Sequence, residues 1–193
     1  VNVSNIEKNW EIYQKLALSI GSKTGVKDLL DKCGEQIIIT PYKDRDDWWT
    51  AAPGGLIYHS LLVLKHAKNV AKSSAIEVNP ESLATVCLFH DIGKIGDPSG
   101  KPYFLEQESS WHRERGQLYT YNPNIQKMTF PHRSLYVLQS FGIALEPDEF
   151  VTIMTSGGQG LEENRFYGGG ETKLSMLFNI AQTLAAMEEK RNI

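Results

Sequence analysis

The sequence predicts an all-α fold, a helical bundle with a long loop or β-hairpin insertion. Three observations carry this reading. Apolar residues recur at spacings of three and four in several segments. Glycines, prolines and an Asn-Pro pair punctuate those segments where helices start and stop. Residues 98–131 show no helical period at all.

In chain order, Ile6, Trp10, Tyr13, Leu16, Ala17 and Ile20 line one face of a first helix that Gly21 ends. A shorter helix over residues 26–33 keeps Val26, Leu29, Leu30 and Cys33 together and stops at Gly34. Ile37, Ile38 and Ile39 are β-branched, which leaves that stretch either extended or a loop. Pro53-Gly54-Gly55 breaks the chain before a long helix over residues 56–72. Asn79-Pro80 supplies an N-cap and a first-turn proline for an apolar helix over residues 81–92, which runs to Gly93. The 98–131 stretch holds four prolines, too many for a continuous helix. Its segment 116–121 alternates as one arm of a hairpin would. Helices resume over residues 132–141 and 147–155. The glycine-rich segment 157–170 reads as a mobile loop, and a last helix covers residues 172–190. No internal repeat or linker divides the chain, so 1–193 is expected to be a single domain. Residues 1–47 would supply helices packing on its core, and 98–131 the insertion.

Composition bounds the function. The chain has 193 residues, 41% of them hydrophobic, enough for a core of its own and too apolar for a disordered chain. Twenty basic against 23 acidic side chains leave a net charge of −3, which argues against a general binder of nucleic-acid backbone. No apolar run is long enough to span a bilayer. Residues 1–9 lack the apolar core of a secretory signal. Cys33 and Cys87 fit a reducing compartment, so a cytoplasmic protein is expected.

The residues that carry chemistry start with His90-Asp91, in Cys87-Leu88-Phe89-His90-Asp91-Ile92-Gly93-Lys94. A polar pair at the end of an apolar helix reaches solvent or finds partners. Imidazole nitrogen and carboxylate oxygen together suit a divalent metal. A histidine held by the helix dipole beside a solvated aspartate is the other reading. His59, on the preceding helix among Leu56, Leu61, Leu62 and Val63, is either a third ligand or a hydrogen-bonded core histidine. His66, two turns further on, is too far along the axis to share an ion and reads as structural. Asp97 reads as a solvated loop residue or a holder of water or a second ion. Trp111, Arg113, Arg115, Tyr119 and Tyr121 form either a substrate-covering hairpin, stacking a base and gripping phosphate, or an ordinary charged hairpin tip. Trp48-Trp49 either packs or walls the pocket. The glycines after residue 157 do not match a phosphate-binding loop.

The run Gly54-Gly55-Leu56-Ile57-Tyr58-His59-Ser60, then about thirty residues, then Leu88-Phe89-His90-Asp91-Ile92-Gly93-Lys94, resembles the HD-domain phosphohydrolase superfamily. It is most similar to a small bacterial and phage branch, and the resemblance extends from Trp48 to Glu189. It implies a helical fold that holds one or two divalent ions (Mn, Co, Ni, Fe, Zn or Mg) and hydrolyses phosphate esters, often nucleotides. His59, His90 and Asp91 match the family's metal ligands. Lys94 matches a lysine near the substrate phosphate, and His132 a histidine at the start of the helix after the loop. With Asp91 and Lys94 as catalytic candidates, Lys94, His132, Arg113 and Arg115 are the candidates for binding substrate.

The family's fourth ligand, an aspartate on the last helix, falls at Gln182, and no Asp or His occurs in residues 172–187. Glutamine offers only a neutral oxygen. Thr155-Ser156-Gly157-Gly158 likewise stands where some members carry a histidine. Three functions are therefore carried forward. The first is a metal-dependent phosphohydrolase acting on a small phosphate ester, a nucleotide by preference. The second is a catalytically degenerate HD-fold protein that binds a nucleotide or a protein partner. A nuclease ranks below both, since this length holds no accessory nucleic-acid domain. No membrane partner is expected, and metal identity and oligomeric state are left open.

Overall fold

The computed structural model describes residues 5–158 and 160–191, so the start of the 1–9 segment and residue 159 of the glycine-rich stretch lie outside it. Its elements are mostly helical, as the apolar periodicity predicts. Helix α1 (Ile6–Leu18) and helix α2 (Val26–Ile39) precede the long α3 (Gly55–Ser74). Helix α4 (Pro80–Phe89) follows, with a 3-10 turn at Ile92–Ile95. Then come β1 (Phe104–Glu106), a four-residue helix α5 (Ser110–Arg113) and β2 (Tyr119–Tyr121). Helices α6 (Phe130–Ser140), α7 (Pro147–Met154) and α8 (Lys173–Glu189) complete the chain, with a second 3-10 turn at Glu162–Tyr167 inside the glycine-rich stretch.

Helix α3 is the axis of the molecule. Leu56, Ile57, Leu61, Leu62, Val63 and Leu64 are all buried, more than one face of a helix would present, because neighbours surround it. It packs along α8 and α4, and α1 and α2 close a further side. Asn79 accepts from the Glu81 amide at 2.9 Å with Pro80 in the first turn, so α4 starts as its cap predicts. Tyr13 of α1 donates to the Leu88 carbonyl at 3.0 Å, which fixes the end of α4 just before His90. A buried pair, Lys23 Nζ to Glu149 Oε2 at 2.5 Å, ties the α1–α2 turn to α7.

Two expectations about the elements are corrected. Helix α2 does not stop at Gly34 but runs to Ile39, absorbing the isoleucines read as extended or loop. Gly34 serves packing here: a Cβ on it would lie 3.2 Å from the Trp10 ring. At the other boundary, α4 ends at Phe89 and not at Ile92, because His90 caps it and Asp91 leaves helical geometry. The expected hairpin is present within 98–131. Its strands pair antiparallel, with Phe104 opposite Tyr121 and Glu106 opposite Tyr119.

The glycines of the two motifs are dictated by close approach. Gly54 takes φ +80° before α3, and a Cβ on Gly55 would sit 2.1 Å from the Thr50 carbonyl oxygen. A Cβ on Gly93 would sit 2.5 Å from the Ser134 amide nitrogen. That contact seats α6 against the turn after Asp91, where Ser134 Oγ accepts from the Gly93 amide at 2.9 Å.

Candidate metal centre

His59 lies in the second turn of α3 and His90 at the end of α4, and the packing of these helices brings the two rings together. Both are fully buried, and Asp91 is 6% exposed. A ligand atom from each of the three lies within 4.8 Å of the others. Among the described residues this is the one cluster of histidine, cysteine and acidic side chains arranged to hold an ion.

The hydrogen bonds around the rings set their tautomers. His59 Nδ1 faces both oxygens of Glu189, at 2.8 and 3.0 Å, so that nitrogen is the donor. His90 Nδ1 faces the carbonyls of Val86 and Cys87, at 3.2 and 3.1 Å, and is a donor too. The two Nε2 atoms are left facing each other at 3.3 Å, with Asp91 Oδ2 3.5 Å from that of His90. With both Nδ1 atoms donating, two imidazole lone pairs and a carboxylate converge on one space, which suits a cation. Two imidazoles and a carboxylate are a donor set for a borderline divalent metal, so these residues fit one. Glu189 behind His59 is the arrangement that orients a ligating imidazole and raises its basicity.

Charge is balanced tightly. Burial, opposed by Asp91, pushes the His90 imidazole down to about 4, leaving it neutral at pH 7 as a ligand must be. Burial alone would raise Asp91, but the ammonium of Lys94 and the two imidazoles outweigh it and hold the carboxyl far below the usual range. Lys94 Nζ donates to Asp91 Oδ2 at 2.9 Å, and burial brings the lysine down to about 8 against that attraction. Its ammonium rests on the faces of Tyr42, 3.5 Å from the ring centre, and Phe130, at 4.8 Å.

Tyr42 stacks on His59, with ring centres 3.5 Å apart and planes within 10°. His90 meets Phe178 edge-on at 4.9 Å. Burial raises the Tyr42 phenol well above its ordinary range, helped by the charges of Asp91 and Glu189. The segment that carries Tyr42 is held to the end of α8: Trp49 N donates to the Glu189 carbonyl at 3.0 Å, and Arg191 N to that of Asp47 at 2.8 Å.

The structure places the other sequence candidates as follows. Gln182, half-buried on α8, reaches the site through the Tyr42 hydroxyl, which also bonds to Asp91. His132 is exposed at the start of α6, its Nδ1 2.9 Å from Thr129 Oγ1. Arg113 is exposed on α5. Arg115 closes its own turn, donating to the Trp111 carbonyl at 2.9 Å and lying 3.7 Å over that ring. His66 pairs with Glu188 on the surface at 3.0 Å. Asp97 accepts from the Ser99 amide at 2.7 Å.

Sequence reasoning missed Tyr42 and Glu189. Tyr42 carries no sequence signal, because a loop brings it to His59. Glu189 carries one, since it continues the buried stripe Leu174, Phe178, Ala181 and Ala185, where an acid needs a partner.

Residues 56–136 match the family model of the HD domain, from the first turn of α3 into α6. That matched segment is similar to the HD domain, whose members bind divalent metals. No curated protein and no solved structure matches it. The cluster His59, His90 and Asp91 lies within the matched span, while Gln182 and Glu189 lie beyond it. No helix among the described residues is long and apolar enough to cross a membrane.

Proposed function

We propose that this protein is a metal-dependent phosphohydrolase acting on a small phosphate ester of the nucleotide class. The observation that carries the reading is the pair of Nε2 atoms facing each other at 3.3 Å beside Asp91. His59, His90 and Asp91 would hold a divalent ion, one of Mn, Co, Ni, Fe, Zn or Mg. Such an ion, when bound, lowers the pKa of a coordinated water and offsets charge on a phosphoryl oxygen. The remaining work falls to side chains. Asp91, besides ligating, accepts a proton or hydrogen bond at Oδ2, where Lys94 now donates. Lys94 offsets the negative charge of a phosphate drawn to the same place. Tyr42 and Phe178 exclude water from the two imidazoles, and Glu189 keeps Nε2 of His59 turned inward.

Metal analysis of the purified protein, followed by phosphate release from a panel of nucleotides, tests this. His90→Ala and Asp91→Ala are each expected to abolish metal retention and release. Full turnover by a metal-free double variant overturns the reading. A second reading, binding without turnover, is favoured by Gln182, whose neutral amide leaves the last-helix position without a charge. It wins if no transition metal co-purifies and no added ion raises the melting temperature or supports phosphate release.

A further inference from the structure

Phe130, whose ring Lys94 meets, also walls a second cavity, of about 490 Å³, between the end of β2 and the start of α6. Three aromatic rings gather there: Tyr103 lies 5.2 Å from Tyr121 and 5.1 Å from Phe130, centre to centre. Tyr121 remains 52% exposed, so part of its ring is open to a ligand. The cavity's buried cation is Arg133, of which only 1% is exposed, while Lys127 lines it from an exposed position. Its Nη2 donates to the Gln126 carbonyl, and its Nε has no acceptor among the described residues. No carboxylate among them lies within ion-pair distance, although Asp97 acts on it from further off. A guanidinium buried with an unused donor, beside aromatic faces, is an expensive arrangement for the fold alone.

We propose that this cavity is a nucleobase subsite, in which Tyr121 stacks the base and Arg133 donates to its acceptor edge. The ligand class follows from the lining. A flat π-system matches the rings, and adjacent acceptors such as purine O6 and N7 match a guanidinium. The single ring shared with Lys94 puts the subsite next to the metal centre, so a base held here leaves its phosphate to be drawn toward Asp91 and Lys94. The inference deepens the phosphohydrolase reading and rests on it for the identity of the whole substrate.

Equilibrium dialysis of the full chain with inosine in EDTA tests it, because inosine offers O6 and N7 but no phosphate. Saturable binding is expected, weakened at least about fivefold by Tyr121→Ala, as loss of one stacked base predicts. Tyr121→Phe keeps the ring and is expected to stay within twofold of the parent. Arg133→Lys is expected to remove any preference for inosine over adenosine, whose N6 is a donor. Absence of saturable inosine binding, or equal affinity in Tyr121→Ala, overturns the proposal. Neither result depends on metal or on phosphate release, so the two readings fail separately.

Discussion

Replacing Glu189 with glutamine takes one negative charge from behind His59 and changes little in shape. In the parent, both carboxylate oxygens face Nδ1, at 2.8 and 3.0 Å, in a setting with no exposure to water. The glutamine oxygen still accepts from Nδ1, so the ring keeps its tautomer. What is lost is the push of a full charge through the imidazole onto Nε2. Loss of such a supporting carboxylate lowers metal affinity by about 10- to 100-fold, or about 1.4–2.7 kcal/mol. The new amide NH2 stands where a carboxylate oxygen accepted, and a donor buried without a partner costs about 1–3 kcal/mol of folding stability. The two effects separate experimentally. Manganese or cobalt titration by calorimetry reads the first on folded protein, and thermal melting in EDTA reads the second. Variant affinity within twofold of the parent, whatever the melting temperature, would refute the reasoning and leave Glu189 a structural residue.

Two other predictions concern α8 and the N-terminal helices. Gln182→Asp is expected to tighten metal binding and raise phosphate release, both read in the same titration and assay. No change in either would show that residue 182 does not reach the ion. Lys23→Met strips the partner from a carboxylate only 1% exposed, and breaking such a pair typically costs about 3–5 kcal/mol. Urea unfolding measures it, and a loss below about 1 kcal/mol would mean that the Glu146 amide, which also donates to Glu149, suffices.

The helices were legible because each buries an apolar stripe at a spacing the chain cannot hide. The HD motif was legible because its glycines mark backbone crowding, whether the neighbour is near in the chain, as Thr50 is to Gly55, or distant, as Ser134 on α6 is to Gly93. Gly34 misled for the converse reason. A glycine that lets Trp10 lie flat against a helix looks, in one dimension, like a glycine that ends it. The site divides the same way. His59, His90 and Asp91 announce themselves as polar residues in apolar surroundings. Tyr42 reaches His59 from a loop, and Arg133 sits beside the more conspicuous His132. Their roles come from tertiary packing that no local pattern encodes.

The seam between the 47–50 segment and the end of α8 bears on how anything enters this site. The triad is closed to solvent, so a substrate of any size needs the protein to open first. Glu189 and Arg191 join that segment through two backbone bonds, and the same segment holds Tyr42 over His59. Glu189 lies in the last turn of α8, so loosening that turn would release the carboxylate behind His59 together with the seam, while the bonds that orient His90 come from α4. Access to the imidazoles and the support of His59 therefore run through the same turn of helix, so a change there alters entry and affinity together.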